Sequence, residues 1–554
     1  MSLDVGWGRS RRFGCSSAHS SIGPMPRTVR VAVIGSGLAG LTAAYLLSNS
    51  SNENVLFDVH LFEKARLTQA STIGMDCSSI SLPNPGNKEE WRVDVPMRSF
   101  QGGYYKKLIS LYRFLGVGFR ASNFSYSFSN LHASTHGRSQ HAYCDAGRVE
   151  EREWAVVAWN EQGLGAPLIC ILGSADSVLL YSAAIPVGTI RAACWDPDHD
   201  FPDMGRGYDP QRFFGPFAEV GCCLEGFYGS HHDTVVLAVC TAPREDILKH
   251  PMEEFLDYIW LTLGTHHYVA TNGVQDVVSR LTARISHIHL SSTISKISIN
   301  PDNPSLAFIE CSSSSGITTH SDFHHIILAT QANRAIPLLQ SLASSFPLKK
   351  TDRCRDIERQ IDCLKRFSYA PTIVINHTDD TLIPGSLRDR RDLNLISAAE
   401  VLPEPKQDAV DADSVYLPST YTMASHILQR PKCFPSHLPT VFQTTNPIVP
   451  IRQSRILSVA KLDRAVLTLD AKQALEGLQI EIKRSWQCAG QGKSRLGKLQ
   501  GGGRVDDANT VGVWICGSFA HSGIPLLEGC IMSARNVVEQ GIWRCEGYHD
   551  HIYW

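Results

Sequence analysis

The chain has 554 residues, 43% of them hydrophobic and 19% charged, with a formal net charge of -2. That is the balance of an ordinary globular protein, with room for about three or four average domains or one large discontinuous domain carrying insertions. The absence of a basic excess or a long run of like charge excludes nucleic acid as an electrostatic partner. The 16 cysteines contain no Cys-x-x-Cys pair, which excludes zinc-knuckle and thioredoxin patterns and points to free thiols in a reducing, cytoplasmic setting.

Residues 1–27 are rich in Ser, Gly and Arg and lack an apolar signal core; they read as a flexible tail, with Arg9, Arg11 and Arg12 leaving a weak mitochondrial presequence as the alternative. Residues 28–34 form a β-branched apolar strand, 38–47 an Ala/Leu-rich helix and 57–62 a second strand, so the chain opens with a β-α-β unit. An irregular insertion is expected over about 130–233. Within it, 164–190 is long enough to cross a bilayer, but its central Asp176 and its Gly, Pro and Ser residues favour a buried or interfacial segment over a span. The Gly/Pro/Asp-rich stretch 195–230 has no period; a poorly ordered insertion and a segment missing from the mature transcript are both open.

Residues 288–299 and 306–311 read as strands, 311–322 as a polar turn region and 324–330 as a buried strand, a meander returning to a sheet. Near the C-terminus, "VGVWICGSF" is a strand, and a helix follows in which Ile531, Ala534 and Val538 recur at helical spacing. Three distant stretches thus read as one α/β layer.

In "VIGSGLAG", Gly35, Gly37 and Gly40 stand in the GxGxxG spacing between strand and helix. The first permits the tight turn, the second close approach of backbone to a pyrophosphate, and the third close helix–strand packing, with helix N–H groups aimed at the phosphates. Glu63 ends the second strand, where a carboxylate accepts from ribose hydroxyls and repels a 2′-phosphate, so FAD or NAD suits the pocket better than NADP. The glycines alone do not separate FAD from NAD.

Taken with "LFEK", "VDVPMRSFQGGYYKKLISLYRFLGV", "GTHHYVATNGVQDVVSRL", "HHIILATQAN", "VFQTTNP" and "GSFAHSGIPLLEGCIMSARN", this layout resembles the flavin-containing amine oxidoreductase superfamily over most of 28–125 and 235–545. The nearest resemblance is to the predicted NAD/FAD-binding group that includes fungal amine oxidase-like proteins. It implies an α/β fold: a discontinuous Rossmann-like FAD-binding domain from 28–95, 276–345 and 505–545, with a mixed α+β substrate domain from 96–275 and 346–504 and a short tail at 546–554. It also implies FAD held by Gly35, Ser36, Gly37, Leu38, Ala39 and Gly40 at the pyrophosphate, and by Glu63 and Lys64 at the ribose. Ile294 would meet the adenine, Gly517, Ser518, Glu528 and Gly529 the ribityl chain and flavin, and Pro96, Met97 and Arg98 would pass the ring. Two departures stand out: "IGMD" (73–76) replaces the usual Gly-Gly-Arg or Gly-Gly-His, and Ser518 stands where an acid is common.

The implied activity is hydride transfer from a small or lipid-like substrate to flavin, with redox-neutral isomerisation or desaturation and a catalytically silent flavin scaffold as alternatives. His266, His267 and Arg98 are candidates at the substrate face, set against ordinary hydrogen-bonded histidines and a salt-bridged arginine. The adjacent pairs His231-His232 and His324-His325 lack a completing Asp, Glu or Cys, so no metal ligand is assigned. Oligomeric state is not legible.

Overall fold

The computed structural model describes residues 26–64, 73–86, 88–131, 241–262, 265–313, 316–346, 352–398, 415–482, 493–505, 507 and 509–554. Residues 1–25 of the expected N-terminal tail and the stretches 164–190 and 195–230 lie outside them; Arg27, expected as the end of that tail, instead opens the first strand of the parallel sheet. Among the described residues no helix is long and apolar enough to cross a membrane.

The opening β-α-β unit is β1 (Arg27–Ile34), α1 (Leu38–Ser48) and β2 (Val55–Phe62). β1 lies inside a five-stranded sheet, paired with β2 on one side and with strand His325–Leu328 on the other; Gly512–Ile515 extends that side and His287–His289 extends the β2 side. Every pairing is parallel. The side-chain period of two sends Val29, Val31 and Val33 to one face and Ala32 and Ile34 to the other, and each set enters its own buried cluster. Helices α1, Gly273–Thr282 and Leu527–Asn536 cover the first face; the antiparallel meander Thr293–Ile299, Ala307–Ser313, Gly316–Phe323 and helices Ala332–Ser344 and Asp352–Leu364 cover the second. A parallel sheet buried on both faces is the expected form for near-continuous apolar strands. Burying each Val or Leu fully contributes roughly 1.5–3 kcal/mol.

The second layer is a six-stranded sheet ordered Ile456–Val466, Ser368–His377, Phe442–Thr445, Met423–Ile427, Leu393–Ala398 and Tyr126–Leu131. Its members come from two insertions, one leaving the parallel sheet after β2 and the other after His325–Leu328. Both exits are at carboxyl ends of parallel strands, the edge where α/β sheets bind ligands. The architecture is therefore α/β, with a discontinuous Rossmann-like sheet and a second mixed unit.

Two local readings of the sequence differ from the structure. The stretch 288–299, expected as one strand, is split: His287–His289 joins the parallel sheet and Thr293–Ile299 starts the meander, with Ser291 between them at φ 53°. A continuous β-rich composition gives no sign of a break made by one residue in the left-handed region. The expected polar turn at 311–322 is largely the strand Gly316–Phe323, whose first four residues are exposed and carry no apolar alternation.

The segment 546–554, expected as a tail, holds a buried hub. The Glu546 carboxylate accepts from His325 Nε2 at 2.8 Å and Arg504 Nη2 at 2.7 Å, and also pairs with Arg27. Trp514 Nε1, which can only donate, points at His325 Nδ1 at 3.1 Å, so His325 is the neutral tautomer with its proton on Nε2. Burial opposes the charge on Glu546, but the His325 and Arg504 contacts outweigh it and hold the carboxyl well below its ordinary range. Removing this carboxylate takes the counter-charge at Nη2 away from buried Arg504, which keeps the Thr510 carbonyl at Nη1. Glu546→Ala is expected to cost about 3–5 kcal/mol in urea unfolding near neutral pH. Because the folded-state pKa is depressed, the contribution is present above about pH 4.5 and fades as pH falls below it; the gap between wild type and Glu546→Ala should narrow there.

Candidate functional site

The site is assembled at the carboxyl edge of β1. Gly35 has φ +100°, and a Cβ there would meet the Ala329 carbonyl oxygen at 2.8 Å; at Gly40 it would lie 1.9 Å from the Gly35 carbonyl oxygen. These two glycines are required by the close passage of backbone past backbone. Gly37 differs: a Cβ there meets nothing within 4 Å, so the loop presents an open face at that residue. Gly37 is also the N-cap of α1, so the positive end of the helix dipole lies beside this open face, while the Ala39 N–H is taken by the Cys530 thiol.

Glu63 is tied to this loop. Its Oε2 accepts from the Ser36 N–H at 3.1 Å and from the Ser36 hydroxyl at 2.5 Å, and its own N–H donates to the His289 carbonyl at 2.9 Å. Ser292 N–H donates in turn to the Glu63 carbonyl at 2.8 Å, bringing the start of the meander and Ile294 close to the end of β2. Lys64 is exposed beside it. In "IGMD" the retained glycine is the one that sterics demand: Gly74, at φ +65°, would place a Cβ 1.7 Å from the Ser36 carbonyl oxygen. Asp76 is buried and paired with Arg92 at 2.7 Å.

The C-terminal motif reaches the same place. A Cβ on Gly529 would lie 2.6 Å from the Ser518 carbonyl oxygen, and Ser533 Oγ bridges the Gly517 N–H and carbonyl at 3.0 and 2.9 Å. The Cys530 thiol lies against the Ala39 N–H at the start of α1, and burial pushes it up to about 11. Glu528 has a further use that sequence reasoning did not reveal. Its two oxygens accept from the N–H groups of Lys107 at 2.8 Å and Leu108 at 2.9 Å, capping α2 (Lys106–Leu115) from a distant part of the chain. Burial pushes its carboxyl up to about 7 against those donors.

Arg98 is half-buried in a stretch pinned to the second sheet, where Met97 N–H donates to Gln443 Oε1 at 2.7 Å and Gln443 Nε2 to the Asp94 carbonyl at 2.9 Å. Among the described residues Arg98 Nε has no hydrogen-bond partner. Burial, then the like charge of Arg464, lowers the Arg98 pKa, and Cys530 lies within its field. Arg464 itself lines a small cleft with His250, Val466, Ile524 and Pro525. His267 is nearly buried, takes a hydrogen bond from Gln101 at 2.7 Å, and is driven to about 4 by desolvation and then by His266; His266 is held by Asn123 at 2.9 Å. Both histidines are thus bound into side-chain networks on the strand His267–Ala270 and its approach.

The glycine loop with its open face at Gly37, the carboxylate closing β2 and the half-buried Arg98, whose Nε lacks a hydrogen-bond partner among the described residues, suit a large anion with a ribose, which is the chemistry of a dinucleotide. Residues 33–115 match the family described as NAD(P)-binding Rossmann-like domain. No curated protein matches the chain. Among solved structures it is similar to an oxidoreductase from Methanosarcina mazei, at 12% identity and TM-score 0.48, over 92% of this chain and all of the other. It is also similar to a redesigned triple mutant of putrescine oxidase, at 12% identity and TM-score 0.43, over 94% of this chain and all of that one. At these values neither carries a function across.

Two outcomes test the site. Gly37→Ala is expected to fold with unchanged thermal stability while lowering dinucleotide affinity at least about tenfold, whereas Gly40→Ala disrupts folding itself; thermal melts and equilibrium binding separate the two. For Glu528, a raised pKa means that the folded state holds the proton longer, so wild type loses stability as pH rises from about 4.5 to 7. Glu528→Gln removes that slope, and urea midpoints across the range should move in the variant's favour with rising pH.

Proposed function

We propose that the chain is an FAD-dependent, amine oxidase-like oxidoreductase that takes a hydride from a small or lipid-like substrate. The observation carrying this reading is topological. Three segments far apart in sequence build one parallel sheet, and both long insertions leave its carboxyl edge to build a second sheet that is hydrogen-bonded to the 94–98 stretch. A contiguous NAD domain has no need of such insertions; a flavin, whose ring must be shielded on the side away from its nucleotide, does.

In this reading Gly35, Ser36, Gly37, Leu38, Ala39 and Gly40 hold the pyrophosphate and Glu63, fixed by Ser36, receives the ribose. Ile294 borders the adenine. Gly517, Ser518 and Gly529 keep the C-terminal backbone close to the ribityl chain, while Glu528 orders α2 behind it. Bound flavin supplies the two-electron redox chemistry. Arg98, desolvated and lacking a partner at Nε, directs positive charge toward an anionic part of cofactor or substrate. His267, neutral across the physiological range, accepts from Gln101 and orients the network that includes Tyr258.

The absorbance spectrum of the purified full chain tests the proposal. Oxidised flavin bands are expected as purified or after reconstitution with FAD, followed by bleaching under anaerobic conditions with a member of a panel of amines and fatty compounds. Protein that stays colourless after refolding with excess FAD, yet retains NAD, overturns the assignment.

A further inference from the structure

On the second face of the parallel sheet, register alone concentrates imidazoles. Asp58 and His60 are two apart on β2 and so point the same way, as do His287 and His289 on the neighbouring strand; parallel pairing sets His60 opposite His287 and Phe62 opposite His289. His320, on the meander strand Gly316–Phe323, faces them from the layer above, its ring centroid 4.6 Å from that of His289. The ligand-capable atoms of His60, His289 and His320 all lie within 4.8 Å of one another. His60 Nδ1 and His289 Nε2 are 3.0 Å apart, near the roughly 3.3 Å that separates ligand nitrogens around a tetrahedral zinc ion. Closing the remaining gaps asks for movement of His320, which stands on the outer strand.

We propose that His60, His289 and His320 form a binding site for a divalent transition metal ion of the zinc type, clamping the meander onto the parallel sheet. Nitrogen-only ligation by three imidazoles selects zinc-like ions over magnesium or calcium, which take oxygen ligands. The ring on β2 comes with an outer partner: Asp58 Oδ2 lies 3.3 Å from His60 Nε2, the arrangement in which a carboxylate receives the distal proton of a metal-bound histidine. Without metal, Arg30 donates to His60 Nε2 at 3.0 Å and to Asp58 Oδ2 at 3.0 Å. Coordination through Nδ1 shifts the His60 proton to Nε2, where Asp58 takes it and Arg30 Nη2 withdraws. The three rings are held neutral, as ligands must be: desolvation lowers all of them, His289 to about 4. A second overlapping set, Asp58, His60 and His287, places its ion on the Arg30 side, against a fixed positive charge, and is disfavoured for that reason.

The test uses the full chain without a histidine tag, titrated with Zn2+ against a chromophoric chelator, with bound metal counted by elemental analysis. Wild type is expected to bind one tight equivalent and to melt at a higher temperature with Zn2+, an increase reversed by chelator. His320→Ala, on the outer strand, and His289→Gln should each lower affinity at least about tenfold, since even outer-sphere changes at metal sites cost that much. His287→Ala should leave the affinity unchanged. Circular dichroism of each metal-free variant checks its fold, and His320→Ala provides the decisive reading where His289→Gln does not fold. Equal affinity in wild type and His320→Ala, loss confined to His287→Ala, or no tight equivalent in wild type overturns the proposal.

Discussion

The structure depends on the parallel pairing of β1 with two strands at once. Its neighbours β2 and His325–Leu328 lie on opposite sides, and the second arrives only after the whole of the first insertion and the meander have been made. The closure entropy of such long loops grows only slowly with length, so apolar burial on both faces of β1 is enough to hold the sheet together. Once that pairing exists, the chain leaving β1 has a single short path into α1, and Gly35 and Gly40 are fixed by the backbone around them. The open face at Gly37 is the remaining space between these tight contacts.

The features legible in the sequence are local or strongly patterned. The β-α-β opening and the glycine spacing each follow from a contiguous run, and the bounds of β1, α1 and β2 differ by only a few residues from the reading, whereas the meander was legible only in its first two strands. The exposed strand Gly316–Phe323 was not legible, because its Thr, His and Ser residues carry no apolar period and the strand exists by pairing with Ala307–Ser313. The split at Ser291 depends on one residue's backbone angle.

Contacts between distant polar residues were the least legible part of the site. Glu528 was expected near a flavin from its place in a motif, while its hydrogen bonds to Lys107 and Leu108 serve the first turn of another helix. Glu546 lies in a stretch that reads as a tail, yet it neutralises Arg504 and orients His325. No spacing rule links residues 58, 60, 287, 289 and 320, because only strand order and register bring them together. By contrast, the loss of one glycine in "IGMD" proves compatible with the loop, since the glycine that remains at 74 is the one pressed against Ser36.

The discontinuous sheet also has a consequence during synthesis. β1 and β2 emerge from the ribosome early, but Gly512–Ile515, at the far edge, emerges near the end of translation. At the elongation rates of living cells the interval is roughly 25–95 s; β1 and β2 lack their outer neighbours until His287–His289 and His325–Leu328 emerge, and the latter then waits for Gly512–Ile515. A nascent chain of this kind is a natural client for cotranslational chaperones, and slow codons late in the message would lengthen its exposure.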